Sequence, residues 1–391
     1  MRILSILIII LQCYILSAQC DNRYNTAIFP NIDTASYEFG QNTTYSGAIQ
    51  KLSLDLYTPN GDTFKNRPCV VFCFGGAFVE GTRKSLELVY FARNFAQRGF
   101  VCASIDYRLD NAVNLAANGE NGSVIRAVQD AKAAIRYLKS KVADFGIDSN
   151  MIFIGGTSAG GITALTMGYS QFDEFKDSVK TIINSLGGWE GTTNNLSQSS
   201  KVKGLFNFAG AVLDTNHILL NDLPVYLNHA NGDATVPFRS GYPLNGQSKT
   251  FVYGSFNIAQ RMISKGNYYV LDSFKSTDHP AFASADLLTA LANLNFTSDN
   301  LRKFLYKAMK CDQGTNSLAS LPAPNFYFEN PVRHILNLPE GIYASDIEMF
   351  NLLGKKVKLK NENSKRIDIS CEPRGIYLIK YKELVQKIVL D

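Results

Sequence analysis

Hydrophobic and polar positions divide this chain into three unequal stretches. At the N-terminus, "MRILSILIIILQCYILSAQC" sets Arg2 ahead of an apolar run, Ile3–Ile10, and closes on the small pair Ser17-Ala18. A positive start, a short apolar run and a small-residue exit make a signal peptide, so residues 1–18 are expected to be removed after Ala18. Beyond it, "KLSLDLYTP" alternates strictly, with Leu52, Leu54 and Leu56 on one face, and predicts a half-buried strand. "CVVFCF", "FVCASID", "MIFIGG", "VKGLFNFAG", "PVYLNHA" and "YYVLDSF" are continuous apolar runs of the length of fully buried strands.

Helical spacing falls between these runs. "SLELVYFARNFAQRG" carries Leu88, Phe91 and Phe95 on one face and stops at Gly99. "SVIRAVQDAKAAIRYLKS" does the same with Val124, Val128, Ile135 and Leu138. Strands alternating with helices predict an α/β domain over residues 20–311, built on a mostly parallel sheet with helices on both faces. A polar linker, "DQGTNSLASLPAP" (312–324), follows. From residue 325 the pattern changes to short strands, "HILNL", "DIEMF", "KKVKLK", "RIDIS", "GIYLIKY" and "KIVL", separated by turn residues. That is the pattern of a small all-β sandwich over 325–391.

Composition narrows the class of function. The 391 residues are 46% hydrophobic and 19% charged, as expected of a globular chain with a large core. A net charge of +5 without Lys/Arg clusters argues against nucleic acid as a partner. Export places the cysteines in an oxidising compartment. Cys20 and Cys311 stand at the two ends of the α/β stretch and are expected to form a disulfide. Cys69, Cys73 and Cys102 lie in apolar runs and read as buried thiols. Their spacing matches no metal-binding module, and neither metal nor cofactor is expected.

The chemistry-bearing motif is "IGGTSAGG", Ile154–Gly161. Its Gly156-Thr157-Ser158-Ala159-Gly160 core lies between an expected strand and the helical pattern "ITALTMGY". Small residues on both sides let the chain turn sharply and lift Ser158 above the sheet. The helix beginning there favours developing negative charge. A serine needs a base, most often histidine, and the chain has four: His217, His229, His279 and His334. His334 lies in the β-rich tail and His229 inside a strand, and His217 remains an alternative. His279 follows a strand in the loop "SFKSTDHPAF" and is the preferred base. Asp233, in the turn "NGDATVPF", is the expected partner of that histidine, ahead of Asp272 and Asp278. The alternative for Asp233 is a turn-forming residue. Backbone donors for an oxyanion are expected from Ala159 and, in "FCFGGAFVEG", from Gly76 and Ala77, where glycines let the backbone come close.

The segments "FGGAF", "IDYRL", "DAKAAIRYLK", "GGTSAGG" and "NGDATVPF", in that order, resemble the α/β-hydrolase superfamily and its carboxylesterase branches over about residues 37–311. The resemblance implies an α/β-hydrolase fold and a serine carboxylesterase with the order Ser158, Asp233, His279. It also implies that the second and third small residues of the early loop donate to the oxyanion. Such esterases carry His or Tyr where this chain has Phe74, so the loop lacks their anchoring hydrogen bond. The tail, "NPVRHILNL…SDIEMFNLLGKKV…RIDIS…RGIYLIKY…KIVL", resembles the C-terminal sorting domain of the type IX secretion system. It implies passage across the outer membrane and a secreted or cell-surface location, with the secretion machinery as partner.

Three functions compete on these residues. The first is an exported serine esterase, monomeric, acting on a small-molecule or polysaccharide-linked ester. The second is a peptidase of the prolyl oligopeptidase kind, which would bring a large gating domain. The third is a non-catalytic binding or adhesion module on a hydrolase fold. Phe74, Phe78, Trp189 and Phe238 are candidate walls of a substrate pocket, and "GGWEGTTNNLSQSS" (Gly187–Ser200) a candidate lid.

Overall fold

The structure, a computed structural model, describes Cys20, residues 23–311, and in the tail residues 332, 334–338, 343–351, 355–357, 359–363, 365–381 and 384–390. The expected signal peptide and linker lie outside the described residues. Two compact units are present, Met1–Leu318 and Ala319–Asp391.

The first unit is built on one eight-stranded sheet. Its strands are β1 (Ile32–Thr43), β2 (Ile49–Pro59), β3 (Arg67–Cys73), β4 (Val101–Ile105), β5 (Ile147–Thr157), β6 (Gly204–Phe208), β7 (Val225–Ala230) and β8 (Tyr269–Phe274). Their order across the sheet is β1-β2-β4-β3-β5-β6-β7-β8. The pairs β1–β2 and β2–β4 are antiparallel, and from β4 onward every pairing is parallel. Continuous apolar runs form the middle strands because both faces there are covered. Val70, Val71, Phe72, Phe153, Ile154, Leu205 and Phe206 are all fully buried.

Helix α1 (Leu86–Ala96) packs on α7 (Leu287–Ala308), and α3 (Asn121–Ser140) packs on α4 (Ala159–Tyr169) and α5 (Asp177–Ser185). Two more helices, α2 (Ala112–Asn118) and α6 (Ser255–Ser264), lie between strands in the chain. Side chains set the helix starts: Asn111 accepts the Asn114 amide at 2.7 Å and Asp286 the Thr289 amide at 2.9 Å.

Two expectations need correction. Strand β2 is not simply half-buried, because Asp55, Leu56 and Tyr57 are all buried at its second half. Asp55 is accommodated there by Ser36 Oγ at 2.5 Å and Arg83 Nε at 3.0 Å, so a polar residue in the alternation does not mark a solvent face. The Gly187–Ser200 segment is not a lid. Thr193 Oγ1 donates to Asp130 at 2.6 Å, and Asn194 Nδ2 reaches the carbonyls of Phe39 and Ala133 at 2.9 Å, fastening it to β1 and α3. Asp130 in turn pairs with buried Arg108 at 2.8 Å.

Cys20 and Cys311 form a disulfide, and Cys69, Cys73 and Cys102 are buried free thiols. Burial pushes the Cys73 thiol up to about 12, which keeps it an inert small hydrophobe. Among the described residues no helix is long and apolar enough to cross a membrane. The second unit has a three-stranded and a four-stranded antiparallel sheet around Leu336, Met349, Ile367, Ile379 and Ile388.

Candidate active site

The sequence Gly156-Thr157-Ser158-Ala159-Gly160 ends β5 and begins α4, and Ser158 stands at the junction with φ +52° and ψ −116°. A non-glycine residue at positive φ is held there against its own preference. Its neighbours supply the restraint: the Ser158 amide donates to Phe208 O at 2.8 Å, and Ser158 O accepts the Ile162 amide at 3.0 Å. Glycine is required on both sides. A Cβ at Gly156 would lie 2.1 Å from Cys73 O, and one at Gly160 2.2 Å from the same carbonyl. Ser158 is 8% exposed and sits at the floor of a cleft.

Three chain-distant residues meet there. His279 Nε2 is 2.8 Å from Ser158 Oγ, and His279 Nδ1 is 2.6 Å from Asp233 Oδ2. The other carboxylate oxygen of Asp233 accepts the amides of Thr235 at 2.8 Å and Val236 at 3.0 Å. The turn-forming reading of Asp233 and its pairing with a histidine therefore hold together, one on each oxygen. Burial pushes the Asp233 carboxyl up, but hydrogen bonds from His229 and His279 outweigh it and hold it below the usual carboxylate range.

The alternative residues are placed elsewhere. His217 Nδ1 is bonded to Ser170 Oγ at 2.8 Å, and His334 is in the second unit. Asp272 takes Tyr226 Oη at 2.6 Å and Asn300 Nδ2 at 2.9 Å. His229 is at the end of β7, fully buried, with Nε2 3.3 Å from Asp233 Oδ2.

The loop after β3 reaches the same cleft. Gly76 has φ +118°, followed by Ala77 at +51° and Phe78 at +63°. Gly76 O accepts the amides of Val79 and Glu80 at 2.9 and 3.1 Å. Among the described turn and loop hydrogen bonds, the N–H groups of Gly76, Ala77 and Ala159 donate to no protein acceptor. All three residues line the cleft with Ser158 and His279.

Phe74 does not line the cleft. Its ring is 1% exposed and stacks on Tyr107, with centroids 4.1 Å apart at 15°. The Tyr107 hydroxyl donates to Phe74 O at 2.8 Å, so a residue from the loop after β4 supplies the anchor that Phe74 cannot.

The remaining aromatic assignments divide. Phe78 lines the cleft. Trp189 does not: it packs on Phe175 and beneath Lys132, whose ammonium is 4.3 Å from the ring. Phe238 packs on His229 and Phe256 behind the Asp233 turn. Both rings are core-facing, an outcome that loop position in the sequence does not distinguish from a pocket wall.

The cleft has a volume of about 910 Å³. Besides Phe78, its walls come from α2 (Ala112, Leu115, Ala116), from Glu120, and from the 243–252 segment, none of which carries a motif in the sequence. Thr250 Oγ1 donates to Glu120 at 2.6 Å and Lys249 Nζ to Ala117 O at 3.2 Å, so the two walls are joined. Glu87 also faces this space, and burial pushes its carboxyl up. Among the described residues no group of three or more His, Cys, Asp or Glu side chains is arranged to hold a metal ion.

Comparison with known proteins agrees with this architecture. Residues 54–212 match the BD-FAE family model, and residues 327–390 match the Secretion system C-terminal sorting domain. Gut esterase 1 of Caenorhabditis elegans is 27% identical over 184 residues, 46% of this chain and 32% of that protein. A probable isoprenylcysteine alpha-carbonyl methylesterase of Oryza sativa subsp. japonica is 36% identical over 107 residues, 27% of this chain and 23% of the relative. Esterase LipC of Mycobacterium tuberculosis is 33% identical over 120 residues, 31% of this chain and 27% of the relative. The chain thus spans less than a third of the length of each of these relatives. Among solved structures, a thermophilic esterase from Thermogutta terrifontis superposes with a TM-score of 0.51 at 21% identity, over 70% of this chain and 92% of that one. The sheet order, the strand–Ser158–helix junction and these matches give the chain an α/β-hydrolase fold, with a BD-FAE domain over residues 54–212 and a C-terminal secretion sorting domain over residues 327–390.

Proposed function

We propose that this protein is an exported carboxylic ester hydrolase that works through an acyl-enzyme on Ser158. The observation that carries the reading is the unbroken line from Ser158 Oγ to His279 Nε2 (2.8 Å) and from His279 Nδ1 to Asp233 Oδ2 (2.6 Å), at the floor of the cleft. In this reading His279 takes the Ser158 proton as Oγ attacks the ester carbonyl. Asp233, ionised and fixed by the turn amides, holds the ring and stabilises the imidazolium that forms. The carbonyl oxygen becomes an oxyanion facing the amides of Gly76, Ala77 and Ala159. His279 then protonates the departing alcohol, and a water repeats the sequence to release the acid. The BD-FAE match over 54–212 and the esterase relatives support this chemistry. The sorting-domain match at 327–390 supports export, with the tail as the part read by secretion machinery.

The test is hydrolysis of a nitrophenyl ester series of increasing acyl length, together with acetylated and feruloylated sugars. Ser158→Ala should lower turnover about 10⁴-fold or more. Unchanged turnover in the folded variant would remove Ser158 from the reaction. For export, a chain stopped after Ala323 should be retained in the periplasm of a host with the matching system, and release to the surface would overturn the role of the tail.

A further inference from the structure

His229 is a fully buried ionisable side chain for which the reaction above has no use. Its surroundings hold its ring in place at both nitrogens. The Gly210 amide donates to Asn207 Oδ1 at 2.8 Å, which sets the Asn207 side chain with its Nδ2 toward Ser255 Oγ at 3.1 Å. An amide nitrogen only donates, so Ser255 Oγ accepts there and its own hydrogen is left for His229 Nδ1, 2.9 Å away. At the other end of the ring, Nε2 faces two acceptors, Val236 O at 2.9 Å and Asp233 Oδ2 at 3.3 Å. A carbonyl only accepts, so Nε2 carries a hydrogen toward Val236 O, and Ser255 Oγ can donate to Nδ1 at the other end.

We propose that His229 is a positioning residue for the reaction, sharing its Nε2–H between Val236 O and Asp233 Oδ2 so that the carboxylate stays ionised and aimed at His279. The inference rests on the serine-hydrolase reading of Ser158, His279 and Asp233. It assigns a chain of five groups, Asn207, Ser255, His229, Asp233 and His279, running from the interior to the nucleophile. Oδ2 lies 2.6 Å from His279 Nδ1 and 3.3 Å from His229 Nε2, while Oδ1 accepts two backbone amides. Fewer donors make a carboxylate more basic, and a more basic Asp233 stabilises the His279 imidazolium more strongly. Removing the His229 donor should therefore move the protonation of His279 to higher pH.

Other ionisable groups nearby are otherwise engaged. Asp272, on the adjacent strand, is held by Tyr226 and Asn300, and Arg239 stacks on Phe256 at 3.9 Å. Glu87 lines the cleft with His279 but is the same in every variant, so its contribution cancels against wild type.

Two substitutions separate the role from packing. His229→Leu removes the donor, while His229→Gln sets an amide N–H near the Nε2 position. The acid limb of the kcat/KM profile should rise by roughly half a unit to one unit in His229→Leu, with kcat about tenfold lower. His229→Gln should return the limb toward wild type. The downfield proton resonance of the His279–Asp233 hydrogen bond, followed against pH without substrate, should shift its midpoint in the same direction. That second readout distinguishes the two failures. An enzyme with no ester hydrolysis but a shifted resonance keeps the His229 coupling and loses the esterase reading. A folded His229→Leu protein whose resonance midpoint and acid limb both match wild type overturns the proposal. So does a His229→Gln variant displaced as far as His229→Leu.

Discussion

Tyr107→Phe removes one oxygen atom from a fully buried ring and tests how the oxyanion loop is held. The Phe side chain preserves the stack on Phe74, whose centroid lies 4.1 Å away, so little packing is lost. What disappears is the 2.8 Å hydrogen bond to Phe74 O, at a position where both residues are 1% exposed. Leaving a buried carbonyl without that partner costs about 1–3 kcal/mol. For a domain of this size each kcal/mol lowers Tm by roughly 2–4 °C.

The effect on catalysis has a different origin. Phe74 immediately precedes Gly75-Gly76-Ala77, and in the proposed reaction the amides of Gly76 and Ala77 act only once charge has developed on the carbonyl oxygen. Loss of one oxyanion donor outright costs about 10²–10³ in kcat. Here the donors remain and their anchor is lost, so a smaller penalty is expected, roughly tenfold in kcat or about 1.4 kcal/mol. KM should stay within about twofold, because ground-state contacts are untouched. Thermal unfolding and steady-state hydrolysis of a short-chain nitrophenyl ester read the two effects separately. Phe74→Ala is the contrast: it deletes a buried ring and should cost about 3–5 kcal/mol of stability. If Tyr107→Phe is folded with wild-type Tm and kcat, the hydroxyl does not anchor the loop and the reasoning fails.

Gly160→Ala should lower stability by about 1–3 kcal/mol or more, since its Cβ would meet Cys73 O at 2.2 Å and Phe74 O at 2.5 Å. Denaturant unfolding checks it, and a wild-type midpoint would mean the junction is looser than its geometry. Asp233, held below the usual carboxylate range, contributes stability that is complete above about pH 3.9 and lost as pH falls through its lower folded value. The stability difference between wild type and Asp233→Asn should therefore shrink below about pH 4, and a constant difference in urea unfolding from about pH 3 to about pH 7 would refute that coupling.

Much of this was legible in local signals. The buried strands declared themselves as apolar runs, and Ser158 by small residues between a strand and a helix. The meeting of His279 and Asp233 beside Ser158 is signalled by their positions just after strands β8 and β7. The edge strand β1 gave no such signal. It is largely exposed, and its mixed polar residues, "IDTASYEFGQNT", follow neither period cleanly. The cleft walls were hidden for another reason. Ala112, Leu115 and the 243–252 segment carry no chemistry of their own and become walls only because tertiary packing brings them together. Trp189 and Phe238 show the converse error: aromatic rings in loops were read as pocket lining, and packing turned them toward Lys132 and His229. His229 was set aside because it lay in a strand. That placement is what gives it a fixed ring beside Asp233.

The nucleophile and the oxyanion loop are usually thought of as separate parts, but here one carbonyl positions both. Cys73 is the last residue of β3, paired in parallel register with Gly156 of β5. Its carbonyl is the atom that a Cβ at Gly156 or Gly160 would strike first, so the chain on both sides of Ser158 is pressed against it. The next residue, Phe74, opens the oxyanion loop. The β3–β5 register thus brings Ser158 and the start of the Gly75–Ala77 loop together, and the Tyr107 hydroxyl on Phe74 O holds that loop in place. A one-residue change in that register would move the donors by the length of a peptide and invert the faces of the strand. The early-loop glycines serve other contacts: a Cβ at Gly75 would lie 3.2 Å from Thr157 O and 3.3 Å from the Ser158 Cβ, and one at Gly76 would lie 2.2 Å from Glu80 O within its own turn. In the proposed reaction, preorganisation of the oxyanion site therefore rests on the sheet register together with the Tyr107 anchor.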